Sequence, residues 1–547
     1  MNATETTLVP ELARDPTRTR FSFLLESPFM ADLGFWRLAD NDRDRLALVG
    51  PDGTEIKAGE LLDRANQIAH GLRDLGLERG DTVALLLPNG VELIETYLGA
   101  LQIGLYVTPI NWHLVGPEIA HILDDSDAKV FVAHERLADA ARAAVAEAGF
   151  PVGDGGRSFA VGAIEGFRPY VELFDGRPTT APEGRTTGAA MHYTSGTTGR
   201  PKGVKRALFE IDPSDMGELL GYLPNLFGIA ARDGHVHLTV SPLYHTAVLM
   251  WTGNALHLGH TVILMDKWTA EETLRLIERY RVTYSHMVPT QFVRLLDLPE
   301  EVRASYDVSS LRNMVHGAAP CPPEVKRKMI EWWGDTIQEY YAATEGGGTV
   351  IGAKEWLDRP GSVGTAWPGS EIRIYDEDGV RQPPGTIGTV YMQLMADFEY
   401  KGDAAKTKAN RIENFFTVGD LGEIDADGYL FLRDRKADMI ISGGANIYPA
   451  EIEGELINHP AVQDVAVFGI PNADWGEEIK AVVELHEGVE PGDELVDDIL
   501  AWAGTRMARF KLPRSIDFTE ALPREANGKL IKRKLRDPYW EDVDRQI

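Results

Sequence analysis

Between Thr82 and Glu135 short apolar runs alternate with stretches of helical periodicity, and this alternation limits the possible folds more than any other feature. TVALLLP (82–88) ends at a proline and reads as a buried strand. NGVELIETYLGALQIG follows with apolar residues at helical spacing and closes on glycine, a helix stop. YVTPIN (106–111) and KVFVAHE (129–135) read as further strands around the helix-like GPEIAHILDDSD. Strands joined by helices pair in parallel and need cover on both faces, so this part is α/β with mostly parallel sheets.

The pattern then changes. IRIYDEDGVRQPPGTIGTVYMQ and FFTVGDLGEIDADGYLFL are short strands broken by DG and PPG turns, which predicts antiparallel hairpins. From about residue 438 a second α/β pattern begins, with MIISGG, a helix opened by Pro449, the strands DVAVFGIP and IKAVVELHE, and the helical ELVDDILAWAGTRM. The expected fold is a large N-terminal domain of parallel α/β sheets with a small antiparallel, barrel-like part over 1–434. A hinge at 435–438 and a small α+β domain at 439–547 follow.

Composition narrows the function. A chain of 547 residues exceeds one core, so at least two domains are expected. Its formal net charge of -29 argues against a nucleic-acid binder and against adhesion to anionic membranes. The single cysteine, Cys321, excludes an intrachain disulfide framework and suits a reducing cytoplasm. No signal peptide or integral membrane segment is evident in the sequence, so a cytoplasmic location is expected.

YTSGTTGRPKGV (193–204) concentrates glycines, hydroxyls and a lysine in one loop. Glycine lets backbone N–H groups approach an anion, hydroxyls add donors, and Lys202 adds a mobile positive charge. The string is not a Walker A loop, because Pro201 stands where the glycine before the lysine should be. A plain Ser/Thr/Gly turn is the alternative.

This loop resembles the signature [YF]TSGTTGxPKG of the adenylate-forming enzymes, which include acyl-CoA synthetases, amino-acid adenylation domains and luciferases. The family's later segments follow in order: HGAAP (316–320), EYYAATEGG (339–347), FTVGD (416–420), RDRKADMIISGG (433–444) and LPREANGK (522–529). The resemblance covers roughly residues 40–540 and implies the following roles. Thr194, Ser195, Gly196, Thr197, Thr198, Gly199 and Lys202 hold the ATP phosphates. Gly317, Ala318, Ala319, Glu339, Tyr340 and Tyr341 surround adenine, Asp420 accepts the ribose hydroxyls, and Arg435 reaches ribose or phosphate. Thr344 lies near the reacting carboxylate, Glu345 binds magnesium, and Lys529 is the catalytic lysine. Ser442, Gly443 and Gly444 flank a pantetheine tunnel, and the C-terminal domain rotates about a pivot at Ala437, where the family usually has Asp or Lys.

Taken singly, each segment admits a plainer use. Thr344 could cap a helix, Asp420 could be a turn residue, HGAAP an ordinary loop, and Lys529 part of the solvated basic tail that ends in Lys532, Arg533, Lys534 and Arg536.

The chemistry the resemblance implies is activation of a carboxylic acid by MgATP as an acyl-adenylate, releasing pyrophosphate, followed by transfer to coenzyme A with release of AMP. The segment SPLYHT places Tyr244 and His245 where amino-acid adenylation domains carry an aspartate, which disfavours an α-amino acid. His245 and Trp251 are assigned to an apolar acyl or aryl pocket, and Cys321 need not be a nucleophile. The remaining histidines lack metal-site spacing, which argues against zinc. Transfer to a carrier-protein phosphopantetheine, a luciferase-type oxidation and a non-catalytic nucleotide sensor stay open, as does a homodimer.

Overall fold

The structure is a computed structural model that describes residues 32–194, 201–393, 398–435, 438–442, 445–472, 475–524 and 530–541. The strands read from the first alternation form one six-stranded parallel sheet. Its order in space is Arg168–Pro169, Ser158–Val161, Ala128–His134, Thr82–Leu86, Tyr106–Pro109, Ala189–Ala190. Thr82–Leu86 is buried at every position, as a central parallel strand must be, and helices Val91–Leu101 and Gly116–Asp125 supply the cover.

A nine-stranded sheet lies beside it. Its middle strands, from Leu46–Val49 through Thr261–Leu264, Val236–Thr239, Tyr284–Met287 and Asn313–His316 to Ile337–Ala343, are parallel. Antiparallel strands close both edges: Glu55–Lys57 at one, and Gly346–Gly352 with Thr365–Ala366 at the other. The YYAATE segment is therefore a strand running into a hairpin turn, and not a helix start.

The later segments are antiparallel as expected. Ile372–Tyr375 pairs with Gly388–Gln393, and Asp420–Ile424 pairs with Leu430–Arg435 through the DADG turn, where Asp425 accepts the N–H groups of Asp427 and Tyr429. The C-terminal sheet joins Ala445–Ile447, Ile440–Ser442, Gly476–Leu485 and Val462–Asn472 antiparallel, with Ser515–Thr519 added in parallel beside Gly476–Leu485. Helices Pro449–Leu456 and Asp493–Gly504 bury Ile452, Leu456, Ile499 and Ala503 in its apolar core. The fold is thus α/β, with a large N-terminal part of parallel sheets, antiparallel additions and a smaller C-terminal part. Among the described residues no helix is long and apolar enough to cross a membrane.

Candidate active site

One continuous cavity of about 2740 Å³ opens where the nine-stranded sheet, the antiparallel sheet and the C-terminal part meet. Thr194 closes strand His192–Thr194 and Lys202 opens strand Lys202–Arg206, and the two residues face each other in an antiparallel pair. The stem of the Gly-rich loop is thereby fixed, while Ser195, Gly196, Thr197, Thr198 and Gly199 lie outside the described residues. Lys202 is ion-paired with Asp403 and lines the cavity. Tyr193 anchors the same stem by donating its hydroxyl to Asp125 Oδ2 at 2.6 Å.

Thr344 and Glu345 occupy the turn between Ile337–Ala343 and Gly346–Gly352. The Thr344 carbonyl accepts from the Arg206 guanidinium, and its hydroxyl lies 3.3 Å from that of Thr246. Glu345 is buried and accepts a 2.6 Å hydrogen bond from Tyr400. Burial lowers the pKa of Arg206, while the nearby Glu345 carboxylate pulls it back up.

Across the cavity, the Tyr341 hydroxyl donates to Asp420 Oδ2 at 2.6 Å, and Arg435 Nε stands 3.4 Å from Asp420 Oδ1. Burial first, then the Asp420 carboxylate, raises the Tyr341 pKa far above its ordinary value. The phenol therefore stays protonated and remains a donor.

Ala318 and Ala319 line the cavity, with Ala318 held at a φ of 68°, a left-handed conformation that a non-glycine residue adopts only at a cost. Gly317 is buried behind them, where an added Cβ would come within 2.8 Å of the Tyr340 carbonyl oxygen. Its smallness serves close strand packing and not the cavity wall.

Glu339 lines the cavity although its carboxylate is engaged elsewhere, and Trp251 differs from its expected role. Glu339 has its carboxylate committed to Lys326, whose Nζ lies 2.5 Å away, in a pair buried on both sides. Trp251 has 0% exposure and packs against Phe227, His286 and Tyr340, so it belongs to the core and not to the acyl wall. An aromatic inside an apolar helix has the same signature in either place. The Tyr340 hydroxyl lies 3.0 Å from His286 Nε2 while the residue lines the cavity, and His245, next to Tyr244, lines it at the start of helix Thr246–His257.

Ser442 ends strand Ile440–Ser442 away from the cavity lining, while Gly443, Gly444, Ala437 and Lys529 lie outside the described residues. The flanks of the Lys529 stretch are held. Arg524 pairs with Leu530 across an antiparallel bridge and makes two 2.6 Å bonds to Asp464, and Lys532 Nζ sits 2.9 Å from Glu453. Cys321 is half-buried beside Ala319, and burial raises its thiol pKa, which removes thiolate character.

Several cavity residues were not read from the sequence. Arg206 shares a strand face with Lys202 by the two-residue period, a signal that could have found it. Tyr400 and Asp403 come from the segment that pairs with Lys202–Arg206, and only the tertiary pairing brings them here. Among the described residues no group of three His, Cys, Asp or Glu could hold a metal unaided. Magnesium usually takes one or two carboxylates plus substrate phosphates and water, and Glu345 is a buried carboxylate on the cavity lining.

A cavity that gathers a fixed Gly-rich loop stem, a buried carboxylate beside it and a Tyr–Asp–Arg cluster opposite is suited to a nucleotide triphosphate whose phosphates and ribose need separate holds. The chain belongs to the AMP-binding enzyme family: that family's model matches residues 35–394, and the model of its C-terminal domain matches residues 451–529. It is 31% identical over 505 residues to the fatty acid–acyl-carrier-protein ligase ScoC of Streptomyces coeruleorubidus, covering 91% of this chain and 94% of that one. It is 33% identical to the long-chain-fatty-acid–CoA ligase FadD13 of Mycobacterium tuberculosis, with 88% and 92% covered. The crystal structure of the anthranilate CoA ligase AuaEII with anthranoyl-AMP superposes with a TM-score of 0.80 at 26% identity, covering 94% of this chain and 98% of that one. The chain is thus an adenylate-forming ligase in the broad sense.

Proposed function

We propose that the chain joins a carboxylic acid to a thiol at the expense of ATP, with coenzyme A as the acceptor. The acid's carboxylate oxygen attacks the α-phosphorus, and the bond to the β-phosphate oxygen breaks to release pyrophosphate. The acceptor's sulfur then attacks the acyl carbonyl, and AMP leaves with the electron pair of the acyl–oxygen bond. AMP departs readily where oxide would not, which is why the first step is needed.

In this reading Tyr341 stacks on adenine, Asp420 accepts from the ribose and Arg435 steadies it, while the Gly-rich loop and Lys202 hold the leaving pyrophosphate. Lys202 must exchange Asp403 for phosphate when ATP enters, a swap of one anion for another. Magnesium, held by Glu345 and the phosphates, would spread the charge that builds on the leaving group. Thr344 orients the carboxylate, and Lys529 stabilises charge developing around the α-phosphate from the acyl side. We place the hinge at 435–438, between domains 1–434 and 439–547, with Ser442, Gly443 and Gly444 flanking the thiol's path in the second conformation.

One observation carries the reading. Tyr341, Asp420, Arg435, Glu345 and Lys202, drawn from segments far apart in sequence, line one cavity, and this supports a site for ATP. A carrier-protein phosphopantetheine is the second acceptor, favoured by the likeness to ScoC. The test supplies ATP and a panel of acids from short-chain to aromatic to polycyclic, with coenzyme A or a holo-carrier protein, and measures pyrophosphate and thioester mass. Thioester on coenzyme A is the expected result. Thioester only on the carrier protein would reverse the choice, and no pyrophosphate from any acid would end the enzymatic reading.

A further inference from the structure

Helix Thr246–His257 starts at the reaction centre, where the Thr246 hydroxyl lies 3.3 Å from that of Thr344. From there Thr246, Ala247, Met250, Asn254 and His257 all line the cavity, at the three- and four-residue spacing that keeps them on one face. At 1.5 Å per residue, Asn254 lies about 12 Å and His257 about 16 Å along the axis from Thr246. The opposing wall at the far end includes Leu101, Phe209, Met216, Leu220 and Leu223, so most of this arm is apolar.

Besides Arg206, whose charge acts on Tyr97, three neutral polar side chains matter there. Asn254, His257 and Tyr97 are 2%, 1% and 7% exposed, and all three line the cavity. His257 Nδ1 accepts from the Phe35 N–H at 3.2 Å, and burial lowers its pKa to about 4. The ring is neutral, so its proton sits on Nε2, which is then a donor. Tyr97 lies alongside the backbone of Gly253, next to Asn254, where an added Cβ would stand 3.6 Å from its hydroxyl. Among the described residues, the Asn254 amide, His257 Nε2 and the Tyr97 hydroxyl have no hydrogen-bond partner. All three open onto the cavity, so their hydrogen-bonding capacity is available to whatever fills it, water or an oxygen of a ligand.

We propose that Asn254, His257 and Tyr97 form a polar station at the far end of the acid site, which selects an elongated, mainly apolar acid bearing a hydroxyl or keto oxygen about 12–16 Å from its carboxyl group. This inference rests on the carboxylic-acid ligase reading above and names its substrate class. His257 and the amide N–H of Asn254 donate to the oxygen, and the Asn254 carbonyl accepts from it when it is a hydroxyl. An acid lacking that oxygen strands the same groups in an apolar arm, which is how a site rejects an otherwise matched analogue.

The test measures pyrophosphate release with matched pairs. An extended chain spans about 3.3–3.6 Å per three bonds, so the hydroxyl of ω-hydroxydodecanoic acid reaches the station and that of ω-hydroxyhexanoic acid does not. The wild-type protein is expected to favour ω-hydroxydodecanoic over dodecanoic acid by about 10–100-fold in kcat/KM, and to show no such preference within the hexanoic pair. In Asn254→Leu the ratio within the dodecanoic pair falls towards one. A wild-type ratio near one, or a ratio that Asn254→Leu leaves intact, overturns the inference. Turnover of small aromatic acids with neither dodecanoic acid accepted overturns the length assignment. Absence of pyrophosphate with every acid overturns the ligase reading instead.

Discussion

The Tyr341 hydroxyl reaches Asp420 Oδ2 at 2.6 Å and so ties a strand of the nine-stranded sheet to the antiparallel sheet across the cavity. The bond has a ligand-free cost as well as a benefit. It fixes the orientation of Asp420, proposed above as the ribose acceptor, yet it uses one acceptor site of that carboxylate. Replacing Tyr341 with Phe keeps the ring for stacking and removes the donor. A hydrogen bond to a charged group contributes about 1.5–3 kcal/mol. We predict that Tyr341→Phe raises the KM for ATP by roughly tenfold while kcat changes little. A fall in kcat with KM unchanged would remove Asp420 orientation as the role of the hydroxyl.

Separation of the two half-reactions is expected in the C-terminal part. Lys529→Ala should lose adenylation, read as pyrophosphate exchange, yet still convert a supplied acyl-adenylate to thioester. Ala437→Pro, which fixes φ at the proposed pivot, should do the reverse and spare pyrophosphate exchange while slowing thioester formation. Equal losses in both steps for Lys529→Ala would contradict domain alternation, and an unchanged overall rate for Ala437→Pro would move the pivot elsewhere.

The Lys326–Glu339 pair is buried at the cavity lining, which Glu339 joins. Lys326 Nζ lies 2.5 Å from Glu339 Oε2, with His316 Nε2 3.8 Å from the same oxygen, and burial holds His316 neutral. Lys326→Met leaves Glu339 buried without its cation, a change that costs about 3–5 kcal/mol. Chemical denaturation should show that loss, and the double variant Lys326→Met, Glu339→Met should recover most of it. A single variant as stable as the wild type would mean that water reaches the carboxylate.

Glu95 predicts a pH dependence of stability. It is 7% exposed on helix Val91–Leu101, accepts a 2.8 Å bond from Tyr170, and burial raises its pKa from 4.5 to about 7. Between those two values the folded chain binds more protons at this site than the unfolded chain, so its contribution falls as pH rises. Above pH 7 the ionised, buried carboxylate disfavours the folded state by about 3 kcal/mol. Glu95→Gln should therefore raise Tm relative to wild type at pH 8, and that gain should shrink towards pH 4.5. A constant difference across the range would exclude titration of Glu95 as the cause.

Periodicity carried the fold a long way. After Thr82 the run TVALLLP has no polar position because its strand is buried on both faces, and the DADG turn announces its hairpin through Asp425. Motif order picked out residues that the fold brings onto one cavity, because backbone loops and ion sites tolerate few residue types. What stayed hidden depends on direction. Whether Trp251 faces the cavity or the core, and whether Glu339 faces adenine or Lys326, follows from how neighbouring elements pack. Asn254 and His257 belong to no motif, and their place on one cavity face beside Phe35, Tyr97 and Gly253 appears only once the elements are packed.

In the proposed reading, helix Thr246–His257 has one end at the bond that forms and the other at the far limit of the acid. Substitutions at single positions along one face would therefore change what length or polarity of acid is accepted, rung by rung, while the strands and loops that grip the nucleotide stay as they are. A scaffold divided in this way lets new substrates be tried without rebuilding the chemistry.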